Sequence, residues 1–356
     1  MRSRIRGLVA ASTAVGMALA LAACGGDGEA TAEGAGSGGS QAASGGGEGD
    51  GPGCAEAEGA VVGYSEPLPD PNFLFIEQII EQALGEYGAE LRPVNANLDP
   101  GKQVADINTL VQSGVDVLIA NPVDPNATLP AFDRARAQGI PVIAQDTTIG
   151  GPFFTNVTAD VEAAAAQGAG LLKEAVGDGQ VVAMTGPAFA EVLVREAEAF
   201  AAEAEAVGLD VVDTQVNQQI TPQGAQAIAS AWRDRYGAEL AGIWTFNDTS
   251  ALGAASAFPG EKPVIVSING QPEVIPLVES GDVLATFDLQ QDKLGQALAY
   301  SALAAICGDE VPEEIVVPAE LIDQSTVGDY RPLEERVGDP FEVIFEERDG
   351  RTYVAG

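Results

Sequence analysis

The sequence predicts an α/β fold of two lobes, each built round a mostly parallel sheet, and three observations carry that prediction. Short runs that are almost wholly apolar, such as 115–120 (VDVLIA) and 140–144 (IPVIA), have the composition of strands buried on both faces. Helical stripes separate them. Val104, Ile107, Leu110 and Val111 share one face of a helix that Gly114 ends, and Leu129, Phe132 and Ala135 share another that Gly139 ends. Strand, helix, strand in this order gives parallel pairs with right-handed crossovers. The third observation is that the same alternation begins again near residue 180. In open sheets of this kind ligands bind beyond the carboxyl ends of the strands, so the polar residues after each apolar run are the candidate site.

A chain of 356 residues with 46% hydrophobic content suits two lobes with real cores. It carries 53 acids against 17 bases, a surface that repels nucleic acid and keeps an exported protein soluble. It has no histidine, which removes a Ser-His-Asp triad, a Cys-His pair and a His-ligated zinc site. Carboxylate chemistry, lysine chemistry or no chemistry remain. Gly101-Lys102 lacks the glycine-rich lead of a phosphate loop, and no cofactor or metal site is expected.

Residues 1–23 read as a lipoprotein signal peptide. Arg2, Arg4 and Arg6 are its charged start and 8–20 its apolar segment. Leu21-Ala22-Ala23-Cys24 resembles a bacterial lipobox, which implies cleavage before Cys24, lipid on its sulfur and anchoring to the outer face of the cytoplasmic membrane. Residues 24–53 form a Gly-rich tether. The stretch 25–53 holds 13 glycines and is expected to be disordered, with an average reach of about 30 Å.

The folded part begins near residue 60. A strand at 60–65 leads to a helix from about 71 whose buried stripe is Phe73, Ile76, Ile79, Ile80 and Leu84. Strands at 90–94, 115–120, 140–144 and 153–157 follow, then an Ala-rich helix at 160–176. The second set has strands at 180–184, 209–216, 242–246 and 264–268. Between them lie helices at about 190–206, around Ile228 and Trp232, and at 249–257. A strand at 283–288 leads into a helix at 291–306 that returns to the first lobe. Residues 315–322 cross once more, and 340–354 read as a β-hairpin turning at Asp349-Gly350. The expected grouping is two Rossmann-like lobes, 54–158 with 290–321 and 159–289 with 322–356. A hinge of several strands joins them, with the ligand cleft between. Cys54 precedes the first strand and Cys307 ends the last long helix. Both therefore fall at the pole of the lobe away from the cleft, where they form either a disulfide or two free thiols.

From about 60 to 330 the sequence resembles the periplasmic sugar-binding proteins of the ribose-binding type. The resemblance rests on Asp70-Pro71-Asn72-Phe73, Asn121-Pro122-Val123-Asp124, Gly139-Ile140-Pro141-Val142 with Asp146, and Phe246-Asn247-Asp248 with Ala251-Leu252-Gly253. Asn269-Gly270 and Gly281-Asp282-Val283-Leu284-Ala285-Thr286 complete it. It implies ligand contacts at Asp70 and Phe73, at Asp146 (the sugar-binding aspartate), at Asn247 (the binding asparagine) and at Asn269, where the family has a second aspartate. Gln290 lies near the last contact glutamine with one extra residue in this chain, and Arg195 lies one position from a binding arginine. Asn72 and Gln219 stand where the family has rings of an aromatic sandwich, and Thr147 where it often has arginine. With Glu66, Asp70 and Asp146 converging, the ligand is a polyol, an unusual sugar or a molecule carrying an amine.

The function expected from these features is an extracytoplasmic, lipid-anchored solute receptor of an ABC importer that closes round a small polar ligand. Its expected partners are the permease and ATPase subunits and, through the lipid alone, the membrane. It would act as a monomer and bind no nucleic acid. Two alternatives stand beside it: a surface carbohydrate-acting enzyme using cleft carboxylates, and a ligand sensor feeding a receptor kinase.

Overall fold

The computed structural model describes residues 54–69, 71–188, 190–260 and 262–355. The leader and tether expected at 1–53 and the candidate contact Asp70 lie outside the described residues.

The first lobe runs β1 (Val61–Glu66), α1 (Pro71–Glu86), β2 (Glu90–Asn95), α2 (Pro100–Ser113), β3 (Val117–Ala120), α3 (Pro125–Ala137), β4 (Val142–Gln145) and β5 (Thr155–Ala159). The second runs α4 (Val161–Val176), β6 (Gln180–Thr185), α5 (Glu191–Ala206), β7 (Asp210–Val216), α6 (Pro222–Tyr236), β8 (Leu240–Thr245), α7 (Asp248–Ser256), β9 (Val264–Val266), α8 (Ile275–Ser280) and β10 (Ala285–Asp288). The chain then passes through α9 (Gln291–Cys307), β11 (Glu314–Val317), β12 (Glu320–Asp323), α10 (Leu333–Arg336), β13 (Phe345–Arg348) and β14 (Arg351–Val354).

Both sheets are wound alike. The first has eight strands, ordered β13-β14-β11-β5-β4-β3-β1-β2, and the second six, ordered β12-β10-β9-β8-β6-β7. In each, the opening strand pairs in parallel on both sides, β1 with β2 and β3, β6 with β7 and β8. Strand order therefore reverses at that strand, and the diverging loops open a crevice there.

The apolar runs mark the central strands because both faces of each sheet carry helices. In β3, Val117 and Ile119 join the core under α1 and α9, while Leu118 and Ala120 join the core under α2 and α3. In β8, Ile243 faces the core with Trp232, whereas Trp244 stacks on Phe200 of α5 with ring centroids 4.3 Å apart. Helix ends follow their local signals. Asp99 caps α2 by accepting from the Gly101 and Lys102 amides, and Gly114 ends that helix at φ 77°.

Among the described residues the chain passes between the lobes four times, after β5, β10, β11 and β12, and the third crossing departs from the sequence reading. The strand expected at 315–322 is two, because Pro318, which has no amide hydrogen, falls between them. β11 pairs in parallel with β5 of the first sheet, and β12 runs antiparallel to β10 of the second. The hairpin is β13–β14, and it extends the first sheet through β14 pairing with β11. That places 345–354 with the first sheet, whereas the expected grouping put 322–356 in the second lobe. α9 packs on α1 in the first lobe, and Cys54 and Cys307 are disulfide-bonded at its far pole with Cα atoms 5.7 Å apart.

Candidate functional site

The carboxyl ends of the two sheets face one another across a cavity of about 260 Å³. Loops after β1, β3, β4 and β5 form one wall and those after β8, β9 and β10 the other, with the first turns of α1 and α5 closing the sides.

Asp146 sits just past β4 in the left-handed region, at φ 51°. Its Oδ1 accepts from the Ala159 amide at 3.0 Å and the Thr158 hydroxyl at 3.2 Å, which pins it to the end of β5. Its Oδ2 meets only long contacts, with Asn121 Nδ2 at 3.5 Å and Gln145 Nε2 at 3.4 Å. One oxygen is thus structural and the other faces the cavity. Burial raises the Asp146 carboxyl, opposed by the Ala159 amide, the Arg195 guanidinium and the Thr158 and Gln145 donors. Behind it, Tyr64 Oη donates to Gln145 Oε1 at 3.1 Å. The fully buried Gln103 donates to the Asn121 carbonyl at 2.8 Å and accepts from the Val123 amide at 2.7 Å, bracing the turn after β3.

Across the cavity, Asn247 caps α7: its Oδ1 accepts from the Ser250 amide at 2.9 Å. The amide group is left as the donor that Asn247 can offer a ligand. Asp248, the first residue of α7, is fully buried behind the wall. It accepts from the Gln271 amide and from Thr286 Oγ1, both at 2.7 Å. These bonds hold the Asn269-Gly270 turn, where Asn269 lines the cavity at φ 121° and Gly270 packs on Asp288. Phe73 lines the cavity and also packs on the first-lobe core, while Phe246 supplies an aromatic surface opposite.

The remaining expected contacts lie elsewhere. Glu66 is buried against the end of β2 and accepts from Asn95 Nδ2 at 2.8 Å. Gln219 is exposed, and the neighbouring Ile220 reaches the cavity instead. Gln290 turns towards the hinge, donating to the Pro318 carbonyl at 2.6 Å, and Gln291 lines the cavity in its place. Arg195 donates to Glu162 at 2.9 Å and is not part of the lining, whereas Glu196, one step on, is.

Among the lining groups not expected from sequence, three carry unmet or interlobe polar atoms. Glu191 bridges the lobes, accepting from the Thr148 amide at 3.1 Å and the Thr147 hydroxyl at 3.4 Å. Glu196 and Gln291 each hold a buried Oε1 with no hydrogen-bond partner. The signal for Glu196 was its spacing. It shares the buried stripe of α5 with Phe200 and Ala204, an acid on an apolar face. Among the described residues no group of histidine, cysteine or acidic side chains is placed to hold a metal ion.

Burial raises Asp248 from an ordinary 3.8 to about 7 against the donors around it. The folded chain then holds that proton more tightly than the unfolded chain, so the contribution to stability is full below pH 3.8 and is lost as pH rises to about 7. The melting temperature of Asp248→Asn relative to the unaltered chain should therefore climb across that window. A difference that stays flat with pH contradicts the assignment.

The comparisons agree with this fold. Residues 68–310 match the family described as periplasmic binding protein domain. The ribose import binding protein of Bacillus subtilis is 26% identical over 261 residues, covering 72% of this chain and 85% of its own length. The xylitol-binding protein of Mycolicibacterium smegmatis is 28% identical over 260 residues, covering 68% and 71%. The crystal structure of a periplasmic ribose ABC transporter from Conexibacter woesei has the same fold, with a TM-score of 0.70 and 22% identity over 80% of this chain and 99% of that one. The family and both curated relatives are named for binding, which sets aside the carbohydrate-acting enzyme. The chain belongs to the periplasmic binding protein domain family, with relatives of the ribose-binding type.

Proposed function

We propose that this protein is the extracytoplasmic solute receptor of an ABC importer, binding one sugar or polyol by closure of its two lobes. The observation that carries the reading is the cavity itself. Hydrogen-bonding groups from opposite lobes, Asn121 and Asp146 on one side and Asn247 and Asn269 on the other, converge on a space of about 260 Å³. That volume is at the lower end for small-molecule pockets. A carboxylate oxygen, an amide donor and apolar surface from Phe73 and Phe246 suit a compact polyhydroxylated ligand. Relatives named for ribose and xylitol support the class.

Closure would couple occupancy to docking on the permease, because the ligand adds hydrogen bonds between the lobes to those that Glu191 makes. The family points to a place outside the cytoplasm, and among the described residues no helix is long and apolar enough to cross a membrane. In this reading Cys24 carries the lipid and the protein acts as a monomer. Palmitate should be incorporated into the expressed chain and not into Cys24→Ser; equal labelling of the two removes the anchor.

A thermal-shift screen of pentoses, hexoses, pentitols and inositols tests the ligand class. A true ligand raises the melting temperature by mass action. Asp146→Ala and Asn247→Ala should each weaken it by about tenfold to a hundredfold, the loss of one or two polar contacts. A shift that survives both changes places the site elsewhere.

A further inference from the structure

Glu196 is an acid in the cavity lining that the protein leaves unpartnered. It is 2% exposed, lines the cleft from α5, and its Oε1 has no hydrogen-bond partner. A buried carboxylate normally finds either donors or a counter-charge, since desolvation without them is costly. Neither is supplied by the protein. On its own helix Glu191 is a second acid, and Arg195 is bonded to Glu162 through Nη1, with Nε and Nη2 buried and unpartnered. From α4, Glu162 adds a further negative charge near it. From the first lobe Asp146 faces the same space, and among the described residues the lining contains no lysine or arginine. Around the cavity, Asp146, Glu162, Glu191 and Glu196 are thus balanced by Arg195 alone.

We propose that Glu196 makes this cleft selective for a sugar or polyol bearing a protonated amino group, with the ammonium seated against Glu196 Oε1. The inference deepens the sugar or polyol reading and rests on it. An ammonium supplies both things that Glu196 lacks, a donor and a positive charge, and the pair forms in a dry site where charge-assisted bonds are strong. The acidic surface of the whole chain would draw such a cation towards the cleft. A neutral polyol offers hydroxyl hydrogen bonds but no positive charge to pair with the carboxylate.

The proton balance has a definite sign. Burial and the Glu162 charge raise the Glu196 carboxyl well above its ordinary range, so the empty site holds it protonated over more of the pH scale. Seating an ammonium requires the ionised form, and Glu196 releases its proton to solvent on binding. Affinity for an amino ligand therefore falls as pH drops below the raised Glu196 value, while affinity for the neutral analogue changes less.

Calorimetric titration of matched pairs tests this directly: D-glucosamine with D-glucose, 1-amino-1-deoxyxylitol with xylitol, and 1-amino-1-deoxyribitol with ribitol. In at least one pair the amino member is expected to bind tenfold or more tightly, with proton release, and Glu196→Gln should bring that ratio close to one. The melting temperature of unliganded Glu196→Gln reports whether the variant is folded. Neutral members that bind as well as or better than their amino partners overturn the inference and leave the sugar or polyol reading standing. A preference that survives in folded Glu196→Gln overturns the role of Glu196. Binding by neither member of any pair overturns both.

Discussion

Everything in this molecule depends on keeping two parallel sheets with their carboxyl ends opposed, and the crossing segments impose that constraint. The Asp160 amide donates to the Val317 carbonyl at 2.9 Å, tying the first crossing to the third. Gln290 Nε2 donates to the Pro318 carbonyl at 2.6 Å, tying the second to the third. Arg336 then bridges Asp288 at the end of β10 and Asp292 at the start of α9, each at 2.6 Å, so one guanidinium spans the second crossing. Burial still lifts Asp288 to about 6, with Arg336 opposing. Because the crossings bond to one another, rotation of the lobes is concentrated in a few backbone torsions.

The walls of the cleft are rigid for a second reason. Several lining groups rest on buried partners that do not themselves reach the cavity. Tyr64 holds Gln145, Gln103 holds the turn after β3, and Asp248 holds the turn that carries Asn269. Asn217 is fully buried and donates to Ser250 Oγ at 3.1 Å, steadying the first turn of α7 behind Asn247. Ordering such groups before the ligand arrives lowers the entropy lost on binding. The lobes contribute unlike chemistry. The first offers amides and a half-satisfied carboxylate, and the second adds two acids from α5 that bring excess negative charge.

The fold was legible because burial on both faces leaves an unmistakable composition. Val117 to Ala120 can only be a central strand, and each such run was followed by the loop that reaches the cleft. Asp146, Asn247 and Asn269 line the cavity because their positions at strand ends are fixed by those runs. The failures have separate physical causes. Pro318 divides one expected strand between two sheets, and Gln290, at φ 48°, turns its side chain to the hinge so that Gln291 faces inward. The hairpin's place at the edge of the first sheet depends on a partner, β11, distant in sequence. Glu196 was hidden by composition, since one inward acid does not stand out among 53.

Hydrogen exchange, with and without the sugar or polyol that stabilises the protein most, tests the central claim that one ligand is held between the lobes. The account predicts slowed exchange at the turns after β4 and β8 and in the first turn of α5. These are the segments carrying Asp146, Asn247 and Glu191 on opposite sides of the cleft. Protection confined to one lobe, or lying away from the strand ends, contradicts it.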